Sequence, residues 1–255
     1  MEEIDLRLGD CLEVMQTIPD KSIDLTVTSP PYDNLRTYNG YTFDFEGIAK
    51  QLYRVTKDGG VVVWVVGDAT INGSETGTSF KQALYFKEIG FNLHDTMIWN
   101  KGTFTAVGAL TSRYAPVFEY MFVLSKGQPK TFNPIKDRQN KTFGRNKTGT
   151  FRQENGETKP LSSIGKPIAE HGQRFNVWEI SAEKSNKNRL HPAMFPVSLA
   201  QDHILSWSNE GDIVLDCFLG SGTTAVAAKA LDRKFIGIEI SQEYLTIAKQ
   251  RLANG

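Results

Sequence analysis

Cysteine is nearly absent from this chain of 255 residues: there are two, Cys11 and Cys217, far apart in sequence. That spacing argues against a disulfide framework and suits a reducing cytosol. Histidine is scarce too, with four copies at no ligand-like spacing to the cysteines, so no structural metal site is expected. No apolar run reaches the length of about 18 residues that a membrane span needs. The first residues, Met1-Glu2-Glu3, are acidic and carry no signal-peptide pattern. Net charge is zero, which by itself argues against simple attraction to a polyanion. Two nucleotide signatures are also missing, the dinucleotide G-x-G-x-x-G and the Gly-Lys-Thr of a phosphate loop, so triphosphate binding is not expected.

What is present suffices for one large α/β domain, or one domain with a big insertion, at 40% apolar residues. Strands are expected at Asp5–Leu8, Ile23–Val27, Val61–Val66, Leu93–Trp99, Tyr120–Leu124, Ile213–Leu215 and Phe235–Ile238. Helices are expected from Leu12 to Ile18, Phe45 to Val55, Phe80 to Ile89, from the stretch His191–Pro196 through Trp207 with Pro196 near the first turn, Thr224 to Leu231 and Gln242 to Leu252. Lys57-Asp58-Gly59-Gly60 reads as a turn, and Asp33–Asp44 and Gly67–Ser79 as polar loops, the first a cover over a site. Charge is unevenly spread. Between Lys126 and Arg174 there are eleven Lys and Arg against four Asp and Glu, a net +7, so the remainder carries −7. Helical and strand periodicity disappear there, and single aromatics (Phe132, Phe143, Phe151, Phe175) interleave with the cations, a composition that suits contact with DNA or RNA.

Two stretches carry chemistry. Thr28-Ser29-Pro30-Pro31-Tyr32 follows an apolar strand that two prolines cannot continue, each lacking the N–H a ladder needs. A hydroxyl, rigid carbonyls and an aromatic ring are thereby placed at a strand's carboxyl end, where open α/β sheets hold ligands. This suits a flat, amino-bearing substrate. A second stretch, Asp216-Cys217-Phe218-Leu219-Gly220-Ser221-Gly222-Thr223-Thr224, follows a strand and opens a helix. The next strand ends at Glu239, 17 residues past Gly222. Gly220 and Gly222 permit a tight turn and close approach of a ligand, and Glu239 can accept both hydroxyls of a ribose. Asp216 would repel a pyrophosphate but suits the cationic amino-acid end of S-adenosylmethionine, and Phe218 is an aromatic neighbour for its sulfonium. Asp10, after the first strand, is either a ligand acceptor or a helix N-cap.

The nine residues Asp216–Thr224 resemble the cofactor motif of the DNA amino-methyltransferases, and Thr28–Tyr32 resembles their catalytic motif. Catalytic motif first, basic region in the middle and cofactor motif last is the circularly permuted β-class order. The resemblance covers nearly the whole chain. It implies a Rossmann-like α/β fold with a seven-stranded, mostly parallel sheet, an antiparallel edge hairpin, helices on both faces and an irregular basic insertion. It implies residues 1–125 as the catalytic half, 126–177 as the target recognition insertion and 178–255 as the cofactor half. S-adenosyl-L-methionine would be the cofactor, held by Asp10, Thr28, His191, Pro192, Phe195, Asp216, Phe218, Gly220, Ser221, Gly222, Thr223, Thr224 and Glu239. Ser29, Pro30, Pro31 and Tyr32 would be catalytic. Double-stranded DNA would be the partner, met by Arg36, Arg113, Lys136, Arg138, Lys141, Arg145, Lys147 and Arg152. No metal and no membrane are implied. The setting would be the cytoplasm of a prokaryotic or phage-infected cell, at the nucleoid. A homodimer and a separately encoded cognate restriction endonuclease are both compatible with the resemblance.

The expected chemistry is direct methyl transfer to an exocyclic base amine. Ser29 Oγ and the Pro30 carbonyl would accept the amine hydrogens, and Tyr32 would stack on the flipped base. Neither cysteine has the Pro-Cys context of a ring-carbon methyltransferase. Ser at position 29, rather than Asp, leans toward N4 of cytosine over N6 of adenine in the resembling family. Other readings are a non-catalytic DNA-binding module, or an RNA or protein methyltransferase on the same fold.

Overall fold

The structure, a computed structural model of the chain, describes residues 3–31, 43–103, 112–182 and 195–254. In order, the first half runs β1 (Ile4–Leu8), α1 (Cys11–Met15), β2 (Ile23–Thr28), α2 (Phe45–Val55), β3 (Thr56–Val66), the hairpin β4 (Thr70–Ile71) and β5 (Ser74–Glu75), α3 (Thr78–Glu88), β6 (Asn92–Asn100) and β7 (Phe118–Ser125). It continues with β8 (Arg138–Gln139), β9 (Thr150–Arg152), β10 (Thr158–Pro160), β11 (His171–Gly172), β12 (Val177–Glu179), α4 (Val197–Trp207), β13 (Ile213–Asp216), α5 (Thr223–Ala230), β14 (Lys234–Glu239) and α6 (Gln242–Asn254). Among the described residues no helix is long and apolar enough to cross a membrane.

One compact unit comprises residues 1–133 and 176–255. Its sheet has the order β1-β14-β13-β2-β3-β7-β6-β12. Neighbours are parallel throughout except at β7, which runs antiparallel to both β3 and β6. Seven strands were expected, and the eighth is β12, pairing Val177–Glu179 with Ile98–Asn100. Burial of the Trp178 ring, stacked on His203 at 4.5 Å, holds this short strand in place. The central strands are apolar runs because both faces are covered. Ile23 and Trp64 join Met15, Leu52 and Phe86 of α1, α2 and α3 in one core cluster. Beyond the register shift after Ile23, Leu25 and Val27 pair with Val61 and Val63, which alternate with Val62 and Trp64 and so lie on the opposite face; they are equally buried, and α4 packs against β2. The expected turn at Lys57–Gly60 lies inside β3 as a bulge, where the register jumps from Ile23 opposite Thr56 to Leu25 opposite Val61.

Pro134–Phe175 form a second compact unit. The expectation of an irregular segment is corrected here: this unit is an interrupted antiparallel ribbon. At its base the Arg174 N–H donates to the Ile135 carbonyl (2.9 Å), followed by the β8–β11 pair. A bridge joins Asn146 and Pro167. Beyond it β9 pairs with β10, and Gln153 N–H donates to Glu157 O (2.7 Å) across the tip. Turns at 141–144 and 162–165 break the ladder into runs of two or three residues. Such runs are too short for an alternating pattern to show in sequence, and both faces are largely exposed.

Candidate active site

The site lies along the carboxyl ends of the parallel strands. β2 and β13 are neighbours, with Leu25 opposite Val214 and Thr26 opposite Leu215. The two motifs, nearly 190 residues apart in sequence, therefore emerge side by side. Pro30 and Pro31 end β2 as expected, with Ser29 half-buried. Reading across the sheet, Asp10 follows β1, Glu239 ends β14, the glycine turn follows β13 and Ser29 follows β2. Three strand gaps of about 4.8 Å make this row roughly 14 Å long.

The turn is braced from behind. Gly220 and Gly222 have φ of +54° and +84°, a region that side chains other than glycine rarely adopt. A Cβ on Gly222 would stand 2.8 Å from the Ala248 Cβ of α6. Also from α6, Arg251 Nη1 donates to the Ser221 carbonyl and hydroxyl, both at 2.9 Å, and contacts Thr223 Oγ1 at 3.2 Å. Sequence reading missed Arg251, since a cation near a helix C-terminus is already favourable there. Gly222 caps α5 without a side-chain hydrogen bond. The Glu239 carboxylate accepts from Gly220 N–H (2.8 Å) and Ser241 N–H (2.9 Å). Burial raises the Glu239 carboxyl, and the backbone amides of Ser241, Gly220 and Ile240 pull it back.

Asp216 is placed differently from its expected role. It is 2% exposed, and its oxygens already accept from Thr28 Oγ1 (2.6 Å), Thr224 Oγ1 (2.7 Å) and Phe218 N–H (3.0 Å). Thr28 and Thr224 are fully buried and face this carboxylate. Asp10 is the N-cap of α1, accepting from Leu12 N–H at 2.8 Å. Phe218 is half-buried, edge-on to Phe43 (5.8 Å) and Trp64 (6.2 Å). Phe43, which packs on the turn, was read only as part of a polar loop. Phe195 is nearly buried just ahead of α4. Both thiols are buried: burial pushes Cys11 up to about 12 and Cys217 well above its ordinary value, so neither is a thiolate near neutral pH. Tyr32, Arg36, His191 and Pro192 lie outside the described residues.

Of the cations expected to meet DNA, Arg113 donates to Gly73 O (2.6 Å) and Thr70 Oγ1 (3.2 Å), tying itself to the β4–β5 hairpin. Arg138 stacks on Phe175 at 4.5 Å, and Arg152 Nε donates to Gly156 O (3.2 Å). Lys136, Lys141 and Arg145 are exposed on the ribbon, and Lys147 is half-buried. Lys126, counted with the basic stretch, is corrected to a structural role. It is 8% exposed, its Nζ donates to the carbonyls of Tyr53 (2.6 Å) and Thr56 (3.0 Å) at the end of α2, and it sits over the Tyr53 ring.

Comparison with known proteins points the same way. A family model described as DNA methylase matches residues 23–250. The orphan methyltransferase M.BamHII of Bacillus amyloliquefaciens is 57% identical over 246 residues, spanning 94% of this chain and 92% of that protein. The type II methyltransferase M.HpaI of Haemophilus parainfluenzae is 31% identical, spanning 98% of this chain and 74% of that protein. Among solved structures, TTHA0409 of Thermus thermophilus superimposes with a TM-score of 0.66 at 26% identity, covering 98% of this chain and 94% of that one. The PvuII DNA methyltransferase, described as cytosine-N4-specific, gives 0.69 at 23% identity over 97% of this chain and 86% of that one, a likeness of fold.

Proposed function

Because this chain belongs to the N6/N4 DNA methylase family, and so methylates a base amine in DNA from S-adenosyl-L-methionine, we propose that its target is N4 of cytosine within a specific sequence. The observation that carries the placement of the reaction is the adjacency of Ser29-Pro30-Pro31 to the Asp216–Gly222 turn on neighbouring strand ends. The choice of cytosine rests on Ser, rather than Asp, at position 29.

The residues present fit the donor. Glu239 spends one lone pair per oxygen on backbone amides and keeps acceptor capacity for ribose hydroxyls. The α5 N-terminus, whose N-cap Gly222 makes no side-chain cap hydrogen bond, offers N–H groups to a carboxylate. Phe218 offers a ring beside a cation. When bound, S-adenosylmethionine supplies an electrophilic methyl on a cationic sulfur. The amine it meets is a weak nucleophile, its lone pair delocalised into the base. Ser29 Oγ and the Pro30 carbonyl accept the amine hydrogens, returning electron density to nitrogen and fixing its direction. Tyr32 stacks on the flipped base. The buried, protonated thiols of Cys11 and Cys217 supply no covalent route through a ring carbon.

DNA recognition falls to residues 126–177, and within them to the ribbon Pro134–Phe175, where Lys136, Arg138, Lys141, Arg145, Lys147 and Arg152 meet phosphates or base edges. A two-stranded ribbon is an element that a major groove admits. Residues 1–125 and 178–255 form the catalytic and cofactor halves. A separately encoded cognate restriction endonuclease is compatible with this reading; the 57% identical relative is described as an orphan methyltransferase. Mass analysis of nucleosides from DNA treated with the purified enzyme and donor tests the target: N4-methylcytosine is expected. N6-methyladenine as the sole product rejects cytosine.

A further inference from the structure

The backbone ladder between β2 and β13 stops at Thr26 and Leu215. One residue beyond it, Asp216 takes up the connection. Its Oδ1 accepts from Thr28 Oγ1 at 2.6 Å and from Phe218 N–H at 3.0 Å, and its Oδ2 accepts from Thr224 Oγ1 at 2.7 Å. Thr28 immediately precedes Ser29-Pro30, and Thr224 lies in the first turn of α5, after Gly222. We propose that Asp216 is a positioning residue, a clasp that sets the amine-accepting Ser29-Pro30 segment against the glycine turn, and that it does not itself receive the ammonium group of the methyl donor. This rests on the functional reading above and assigns Asp216 another role within it.

Three observations support the clasp. A side chain that meets a ligand must present surface to it, and Asp216 presents 2%, with Thr28 and Thr224 at 0%. Three donors already occupy the two carboxylate oxygens of Asp216, and Glu239, one strand over, retains more surface. The hydroxyls also join different segments, so the carboxylate fixes their mutual position, which is what an in-line transfer is sensitive to. Burial raises the Asp216 carboxyl while the Thr224 and Thr28 hydroxyls and the Phe218 N–H oppose it. A neutral amide of the same shape can therefore replace it: Asn Oδ1 keeps Thr28 and Phe218, and Asn Nδ2 donates to Thr224 Oγ1, which can turn toward the Val27 carbonyl at 3.5 Å.

The clasp makes its two arms separable. Calorimetric titration with S-adenosylmethionine and single-turnover methylation of DNA would be measured on the wild type, D216N, T28V, T28S and T224V. D216N is expected to bind the donor within about threefold of wild type. T28V is expected to keep that affinity but to lose roughly tenfold or more in rate, and T28S to recover most of it, since a buried hydrogen bond to a charged group is broken and restored. T224V is expected to act chiefly on donor affinity. Loss of donor binding in D216N by about 30-fold or more, with T28V at wild-type rate, would overturn the clasp and restore a direct ammonium contact. Should T28V not fold, D216N still decides by its donor affinity and T224V by its affinity-against-rate split; an equal loss of both in T224V counts against the clasp. A wild-type protein without donor affinity overturns the functional reading and the clasp together.

Discussion

Glu239 and Gly222 show how single residues set the terms of the site. Burial lifts the Glu239 carboxyl above the ordinary glutamate value of 4.5. A raised acid in the folded state binds its proton at a pH where the unfolded chain has released it. Folding stability contributed by this group therefore falls as pH rises from 4.5 through the raised value. Donor affinity is expected to move the other way: the carboxylate proposed to accept ribose hydroxyls is lost as pH falls, beginning above pH 4.5. Glu239→Gln should weaken S-adenosylmethionine binding by roughly tenfold at neutral pH and flatten its acidic limb, as titration calorimetry from pH 5 to pH 8 (assay conditions of about neutral) would show. At Gly222 both the φ of +84° and the 2.8 Å approach to Ala248 oppose a side chain. Gly222→Ala should cost about 1–3 kcal/mol in chemical denaturation, as overpacking does. Glu239 and the glycines were legible in sequence because strand, turn, helix and strand are contiguous. The Asp216 clasp was not: its partner Thr28 lies 188 residues away, and each of the two reads in sequence as facing the cofactor, not the other.

At the scale of elements, the ribbon and the end of α2 divide the basic stretch into two kinds of cation. Lys126 serves the α2 carbonyls, whereas Arg152 sits exposed near the ribbon tip. Arg152→Ala should lower DNA affinity and reduce the slope of log affinity against log salt by about 0.9, one phosphate's worth. Lys126→Met should leave that slope unchanged and instead destabilise the protein by about 1–3 kcal/mol, the cost of stranding buried carbonyls. Fluorescence anisotropy across salt, with thermal unfolding alongside, separates the two. Charge counting in sequence merges them, because it does not see which cations face a helix end. The long strands were read from their apolar runs. β12 escaped because three residues make no pattern, and the ribbon because exposed pairs of two or three residues leave no buried face to mark them.

At the scale of the whole molecule, the unit of residues 1–133 and 176–255 has the eight-stranded sheet and its core, while the ribbon is zipped at its own base by Arg174 and Ile135. Replacing Pro134–Phe175 by a short glycine linker should therefore leave a folded protein that still binds S-adenosylmethionine and no longer methylates its site. Calorimetry and modified-base sequencing would check both halves of that outcome. The order of strands also governs how the protein can be made. β1 pairs with β14, and β13 completes the flank of β2, so both early strands await partners that are made long after them. At about 5–20 residues per second, translation leaves β1 without its neighbour for roughly 10–50 s. Until then the nascent chain carries bare strand edges, a demand on ribosome-bound chaperones.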